Sequence, residues 1–164
     1  MSDPKEKRFA FVARDIGVAN PLEMVAVELS RQGARCWTFF ETALTASSIA
    51  ALLNGRDRPN VVVCGMSSSA ELAESELLAA AAAAGAGVKV ALFTDLKSSG
   101  GRPFFTGVRG VAKMIFVPDD DAGADAAKLF PNAEVVVSGN PNLAKRPRFE
   151  GAEIRRRLGV KPNE

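Results

Sequence analysis

Asp15, the serines Ser67, Ser68 and Ser69, and Asp95 are the side chains of this sequence best suited to chemistry, because each stands in a loop that follows a short apolar run. If those runs are parallel strands, the loops gather outside their carboxyl ends, where ligands bind in open parallel sheets. The first loop runs from Arg14 to Pro21 and contains Asp15, Gly17 and Asn20. Gly17 would let a phosphate or a hydroxyl group come close to the backbone, although a tight turn accounts for a glycine there as simply. The second loop, Gly65 to Ser69, carries three successive hydroxyls at a helix start, a pattern that suits a phosphate, a polyol or plain helix capping. The third begins with Thr94 and Asp95 and continues through Ser98, Ser99, Gly100 and Gly101 to Arg102, with a carboxylate at its root and a guanidinium at its tip. Asp95 can serve as a base or hold a hydroxyl group, and a cap or loop hydrogen bond is its plainer use.

Much other chemistry is excluded by what the chain lacks. It has no His, the commonest general base at neutral pH and the commonest zinc ligand, so nothing of that kind activates Ser67, Ser68 or Ser138. The first loop has one glycine where the dinucleotide fingerprint needs three, and no phosphate-loop motif with its lysine occurs, so no cofactor is expected. Asp119, Asp120 and Asp121 are adjacent and cannot all face one ion; they suit the start of a helix better, and no metal is expected. Asp15 stands without an acidic neighbour and Met66 follows the third run, which argues against a phosphoacceptor site. Cys36 and Cys64 lie inside apolar runs and read as buried, reduced thiols. Lys and Arg number 21 against 19 for Asp and Glu, a net charge of +2 that gives no reason to expect a nucleic-acid or anionic-membrane partner. Arg146, Arg148, Arg155, Arg156 and Arg157 form a basic zone that reads as a solvated tail. Met1 to Arg8 has no apolar core that could act as a secretory signal, no run reaches membrane-spanning length, and a cytoplasmic location is expected.

The elements that must position these loops are legible as alternating runs. A length of 164 residues with 47% hydrophobic and 24% charged residues suits one folded domain with a single core. Strands are expected at Phe9 to Ala13, Cys36 to Phe40, Val61 to Cys64, Val88 to Phe93, Met114 to Val117 and Val135 to Val137, mostly continuous apolar stretches of the kind covered on both faces. Helices are expected at Pro21 to Gln32, Ala46 to Leu53, Ser69 to Ala84, Gly123 to Phe130 and Ala152 to Leu158, with a turn of helix within Pro103 to Val108. This alternation predicts an α/β fold of three layers, a Rossmann-like, doubly wound and mainly parallel six-stranded sheet. The expected strand order is 3-2-1-4-5-6, with a flavodoxin-like order as its competitor. The domain is expected to cover residues 1–144, followed by a basic hinge-like tail, 145–164, with a short helix.

Two stretches are more specific. Gly17 to Leu29 is a glycine loop with Pro21 and Leu22 opening an amphipathic helix, which ends in Arg31-Gln32-Gly33-Ala34-Arg35; the other stretch is Val136-Val137-Ser138-Gly139-Asn140-Pro141. Together they resemble the N-terminal domain of GT-B fold glycosyltransferases and their relatives, including MurG-like enzymes and UDP-N-acetylglucosamine 2-epimerases. Val90 to Phe105, with Asp95 and a following Arg-Pro-Phe-Phe, is similar to the fourth strand and loop of that group. Glu153 to Pro162 looks like the segment that leads into their second domain. The resemblance implies that the first loop and helix face an acceptor, and that the Gly139-Asn140-Pro141 turn closes the last strand before the hinge. The second domain, which supplies most UDP-sugar contacts in the group, is not in this sequence, and Val18 stands where MurG-like members have a His.

The expectation is therefore a lone GT-B N-terminal-like domain binding a polar or phosphorylated, sugar- or nucleotide-like ligand, or half of a split glycosyltransferase completed by a separate C-terminal-type chain. Its candidate ligand-binding set is Gly17, Asn20, Gly65, Ser67, Ser68, Ser69, Thr94, Asp95, Arg102, Gly139 and Asn140. Catalysis by the chain alone would fall to Asp95 or Asp15. The competing expectation is a non-enzymatic binding or scaffold module that forms a homo-oligomer through Phe104, Phe105, Val108 and Val111.

Overall fold

A computed structural model describes residues 6–144. Its strands are β1 (Arg8–Ala13), β2 (Arg35–Phe40), β3 (Val61–Gly65), β4 (Lys89–Phe93), β5 (Ala112–Val117) and β6 (Glu134–Val137). The helices are α1 (Ile16–Arg31), α2 (Ala46–Asn54), α3 (Ala70–Gly85), α4 (Asp120–Leu129) and the short α5 (Pro141–Ala144). All strand pairs are parallel, and the six strands form one sheet, so the α/β Rossmann-like architecture expected from the alternation is the architecture present. Each expected strand appears within two residues of its expected ends. The expected helix at Ala152 to Leu158, the basic zone and the tail 145–164 lie outside the described residues.

The strand order is 2-1-3-4-5-6 rather than 3-2-1-4-5-6. The cause is the side of the sheet taken by α2. Had α2 packed beside α1, β3 would have continued outward past β2. Instead Ile49 and Leu53 of α2 join the same apolar cluster as Ala73, Ala79, Ala80 and Ala83 of α3, while α1 packs Val18, Ala19, Leu22 and Ala26 on the opposite face with Phe11, Val63 and Phe93. With right-handed crossovers, a change of face after β2 carries the chain back across β1. The strands β1 and β3 therefore lie side by side.

The long alanine run of α3 lets that helix sit close to the sheet, as its composition suggests, with Ala79, Ala80 and Ala83 buried. The loop after β4 is built from two 3-10 segments, Ser99–Gly101 and Pro103–Val108. The second turns its aromatic residues inward: Phe105 and Val108 are buried, and Phe104 and Val111 pack against the same cluster. Of the residues expected to form an oligomerisation surface, Phe105 and Val108 are thus core, whereas Phe104 and Val111 are only partly buried at its edge. Cys64 is buried, and burial pushes its thiol well above the ordinary range; Cys36 is only half-buried. Among the described residues no helix is long and apolar enough to cross a membrane.

Gly65 has a packing role. A β-carbon there would meet Val18 Cγ2 at 2.8 Å and Ala13 Cβ at 3.0 Å, so its bareness lets α1 press onto the ends of β1 and β3. Gly65→Ala is expected to lower unfolding stability by about 1–3 kcal/mol, the usual range for overpacking. Urea denaturation reads this directly, and an unchanged midpoint would mean that α1 can ride up without loss.

Candidate functional site

The site grows from the adjacency of β1 and β3. From β1 the chain moves toward β2, and from β3 it moves toward β4, so the point between them is the topological switch of the sheet, where crossovers leave a crevice. Three loops meet there. They carry Arg14 and Asp15 after β1, Met66 to Ser69 after β3, and Thr94 and Asp95 after β4.

Asp15 joins two of these loops. It is the N-cap of α1, and its Oδ1 accepts a hydrogen bond from the Gly17 N–H at 3.0 Å. Its Oδ2 accepts from the Ser68 N–H, also at 3.0 Å. The Asp15 N–H in turn donates to Ser67 Oγ at 3.0 Å. This cap starts α1 five residues before Pro21, where sequence periodicity begins it, and leaves Pro21 inside the helix. Proline has no amide hydrogen to offer the Gly17 carbonyl one turn back.

Beneath these loops lies Glu76, 1% exposed, in the middle of α3. Its Oε1 accepts from the Arg14 N–H at 3.1 Å and from the Ser67 hydroxyl at 2.5 Å, and its Oε2 accepts from the Ser67 N–H at 3.1 Å. One carboxylate thus satisfies backbone donors in both the β1 and β3 loops. Arg102 secures the same β3 loop from the outside, its Nη1 donating to the carbonyls of Met66 at 2.9 Å and Ser67 at 2.8 Å. Glu76 was not among the residues expected from the sequence. A signal existed: Ala73, Glu76, Ala80 and Ala83 share one helical stripe, and the three alanines on it are buried.

Asp95 completes the rim. A β-carbon on Gly17 would sit 3.0 Å from Asp95 Oδ2 and 3.4 Å from Asp15 Oδ1, so the two carboxylates flank the same bare stretch of backbone. The Ser68 hydroxyl, with the N–H groups of Gly17 and Ser68, holds the Asp15 carboxyl below its usual range despite partial burial. Asp95 shifts the other way. Burial raises it, and the charge of Asp15 adds to the rise, against the pull of its own backbone N–H and Arg102. Burial is also the main cause of the rise at Glu76, which outweighs its three hydrogen bonds and brings it to about 7.

The remaining expected residues have other partners or lie elsewhere. Ser69 caps α3 by accepting from the Leu72 N–H at 3.3 Å. Thr94 is buried and donates to the Leu96 carbonyl at 2.6 Å, closing its own turn. Asn20 is exposed on α1. Gly139, at φ 74°, and Asn140 follow β6 at the far edge of the sheet, where Asn140 Oδ1 accepts from the Asn142 N–H at 3.0 Å. Both β4 and β5 separate them from β3. Asp119 caps α4 by accepting from the Ala122 N–H at 2.8 Å, the use expected of that acidic run.

Glu76 makes stability depend on pH near neutrality. Its folded value of about 7 exceeds the ordinary 4.5, so its contribution is full below 4.5 and is lost as pH rises through about 7. That shift corresponds to about 3 kcal/mol. Asp95 acts in the same sense, whereas Asp15, lowered, contributes stability above its unfolded value that is lost in acid. Urea denaturation should give a higher midpoint at about pH 5 than at about pH 8. Glu76→Gln should remove most of that difference and, by setting an amide N–H against a backbone N–H, lower stability by about 1–3 kcal/mol. A wild-type chain equally stable at both pH values would show that Glu76 ionises without penalty.

Compared with known proteins, the chain matches no family model and no curated relative.

Proposed function

We propose that this chain is a ligand-binding domain of the type that forms the N-terminal half of GT-B glycosyltransferases, and that its rim holds a hydroxyl-rich, sugar-like ligand. The observation that carries the ligand class is the pair of carboxylates, Asp15 and Asp95, on either side of Gly17. The family rests on the sequence resemblance of Gly17 to Leu29, Val90 to Phe105 and Val136 to Pro141.

The charge at the rim favours hydroxyl donors over phosphate. A helix N-terminus ordinarily attracts anions through its free N–H groups. Here Asp15 accepts from the Gly17 N–H, and from the Ser68 N–H of the neighbouring loop. The Arg102 Nη1 that reaches this region donates to two backbone carbonyls. A phosphate would meet two carboxylates with these donors already engaged. A sugar hydroxyl would donate to them instead, and among the described residues no other side chain hydrogen-bonds to Asp95. Ile16 and Leu96, the chain neighbours of the two acids, are 61% and 54% exposed and offer apolar surface to the C–H face of a sugar ring. If a separate C-terminal-type chain completes the cleft, this rim forms its acceptor wall. Asp95, raised and without a side-chain hydrogen-bond partner among the described residues, is then the residue suited to take a proton from an acceptor hydroxyl.

Thermal-shift titration with hexoses, N-acetylhexosamines, UDP-sugars and inorganic phosphate tests the reading, because a ligand that binds the native state raises its melting temperature. Sugar-bearing compounds should stabilise the chain. Asp95→Asn should weaken that binding by about tenfold or more, the loss of one charge-assisted hydrogen bond. Gly17→Ala, which forces Asp95 to shift by a few tenths of an ångström, should weaken it too. Stabilisation by inorganic phosphate and by none of the sugars would overturn the proposal.

A further inference from the structure

The two edges of the sheet are built differently. At one edge β6 has four residues and begins with Glu134. At the other β2 has six, of which Trp37, Phe39 and Phe40 are aromatic and none is buried. Among the described residues β2 hydrogen-bonds to β1 on one side and to no strand on the other. Edge strands are ordinarily shortened, bulged, or broken by proline or charge, because a bare row of N–H and C=O groups templates another strand. Past its first residue, Arg35, β2 has none of these devices: its register with β1 is unbroken over all six residues, and it contains no proline.

The helix beside this edge is α1, which contacts both β1 and β2. Between α1 and β2 runs an open groove of about 530 Å³, lined by Glu23, Val27 and Arg31 of the helix and by Cys36 and Thr38 of the strand. Val27 is 46% exposed. With Glu23 and Arg31, four residues before and after, it forms one stripe along α1 that reads acid, apolar, base. Arg31 approaches Glu28 at 3.7 Å, an exposed pair of the kind that contributes little and leaves the charge of Arg31 at this edge. Turned end over end, the stripe is its own complement: acid meets base at both ends, and Val27 meets itself.

We propose that this edge is a homodimer interface, in which β2 pairs antiparallel with β2 of a second copy and the two α1 helices meet beside it through Val27. A two-fold interface uses the same patch on both subunits, so the patch must complement itself. Helix and strand agree on where the axis passes. Val27 is the midpoint of Glu23 and Arg31, and Cys36 and Thr38, which line the same groove, stand on either side of Trp37. An axis normal to the sheet at Trp37 therefore also serves the helices. Spacing agrees as well: strands about 4.8 Å apart place a helix lying over β1 and β2 about 10 Å from its symmetry mate, the distance between packed helices. The pairing answers the open N–H and C=O groups of β2 and sets Glu23 of each copy against Arg31 of the other. This reciprocal charge match selects a second copy over an unrelated strand. The carboxyl ends of the strands point in opposite directions in the two copies, so neither rim is covered.

Sedimentation equilibrium of the full chain provides the test and should give a dimer. Val27→Arg, at an exposed position, sets two like charges against each other on the axis and should weaken association by at least about tenfold. Glu23→Arg and Arg31→Glu should each do the same, because each brings like charges together twice. The double exchange Glu23→Arg with Arg31→Glu restores an acid facing a base and should bring the dimer back, a rescue that damage to the fold would not give. A chain that stays monomeric at the highest concentration it tolerates, a dimer that Val27→Arg leaves intact, or single exchanges that the double exchange fails to rescue would each overturn the proposal.

Discussion

A carboxylate held out of water must be met by hydrogen-bond donors, and at Glu76 those donors are the backbones of two loops that the sheet would otherwise leave independent. The Arg14 N–H belongs to the end of β1 and the Ser67 N–H to the end of β3. Neither has a strand partner at that point, so each would be an orphan without an acceptor. Glu76 answers both, and the Ser67 hydroxyl that donates to it also accepts from the Asp15 N–H. Asp15 is thereby fixed, and with it the cap that begins α1. The rim is a consequence of a buried acid one layer below.

This arrangement requires the strand order. If β2 stood between β1 and β3, the loops after those strands would be two strand spacings, or about 10 Å, apart. No single carboxylate reaches across that distance. The order 2-1-3-4-5-6 arises because α2 packs with α3 on the face opposite α1, and α3 is the helix that brings Glu76 under the junction. The choice of face by α2 and the existence of the site are thus one structural event. The alanines Ala73, Ala79, Ala80 and Ala83 contribute to both, since only small side chains let the helix come close enough for a glutamate to reach loop backbone.

This explains which parts were readable in the sequence. The six strands were, because each is an apolar run of a length and composition that does not suit a helix. Their order was not, since periodicity says that a helix has a buried side and nothing about which sheet face receives it. Asp15, Ser67, Ser68 and Asp95 could be selected by position alone, as polar residues just after strands, and these do converge. Gly139 and Asn140 follow a strand too, yet β6 is the far edge and the same rule carries them away from the junction. Glu76 escaped because an acid within an alanine run reads as the solvated face, and its partners are backbone groups that leave no trace in residue types. Phe105 and Val108 were not legible as core for a related reason. An apolar loop segment can face outward or close the core, and the inward turn depends on the 3-10 segments.

The three acids of the network divide the electrostatic work. Asp15 receives two backbone N–H groups and stays ionised, so its charge is a fixed feature of the rim. That charge raises both of its neighbours, Glu76 beneath and Asp95 beside. Arg102 opposes the effect at Asp95 without pairing with it, because its Nη1 donates to the Met66 and Ser67 carbonyls. Protonation of Glu76, below the surface and raised to about 7, would displace one of its three donors and loosen the tie between the loops. The tie holds firmest when Glu76 is ionised, although ionisation in a buried setting lowers overall stability. Fold stability and rigidity of the rim thus have opposite pH preferences. The compromise between them is set by one side chain that lies out of solvent and holds the rim loops from beneath, through Arg14 and Ser67.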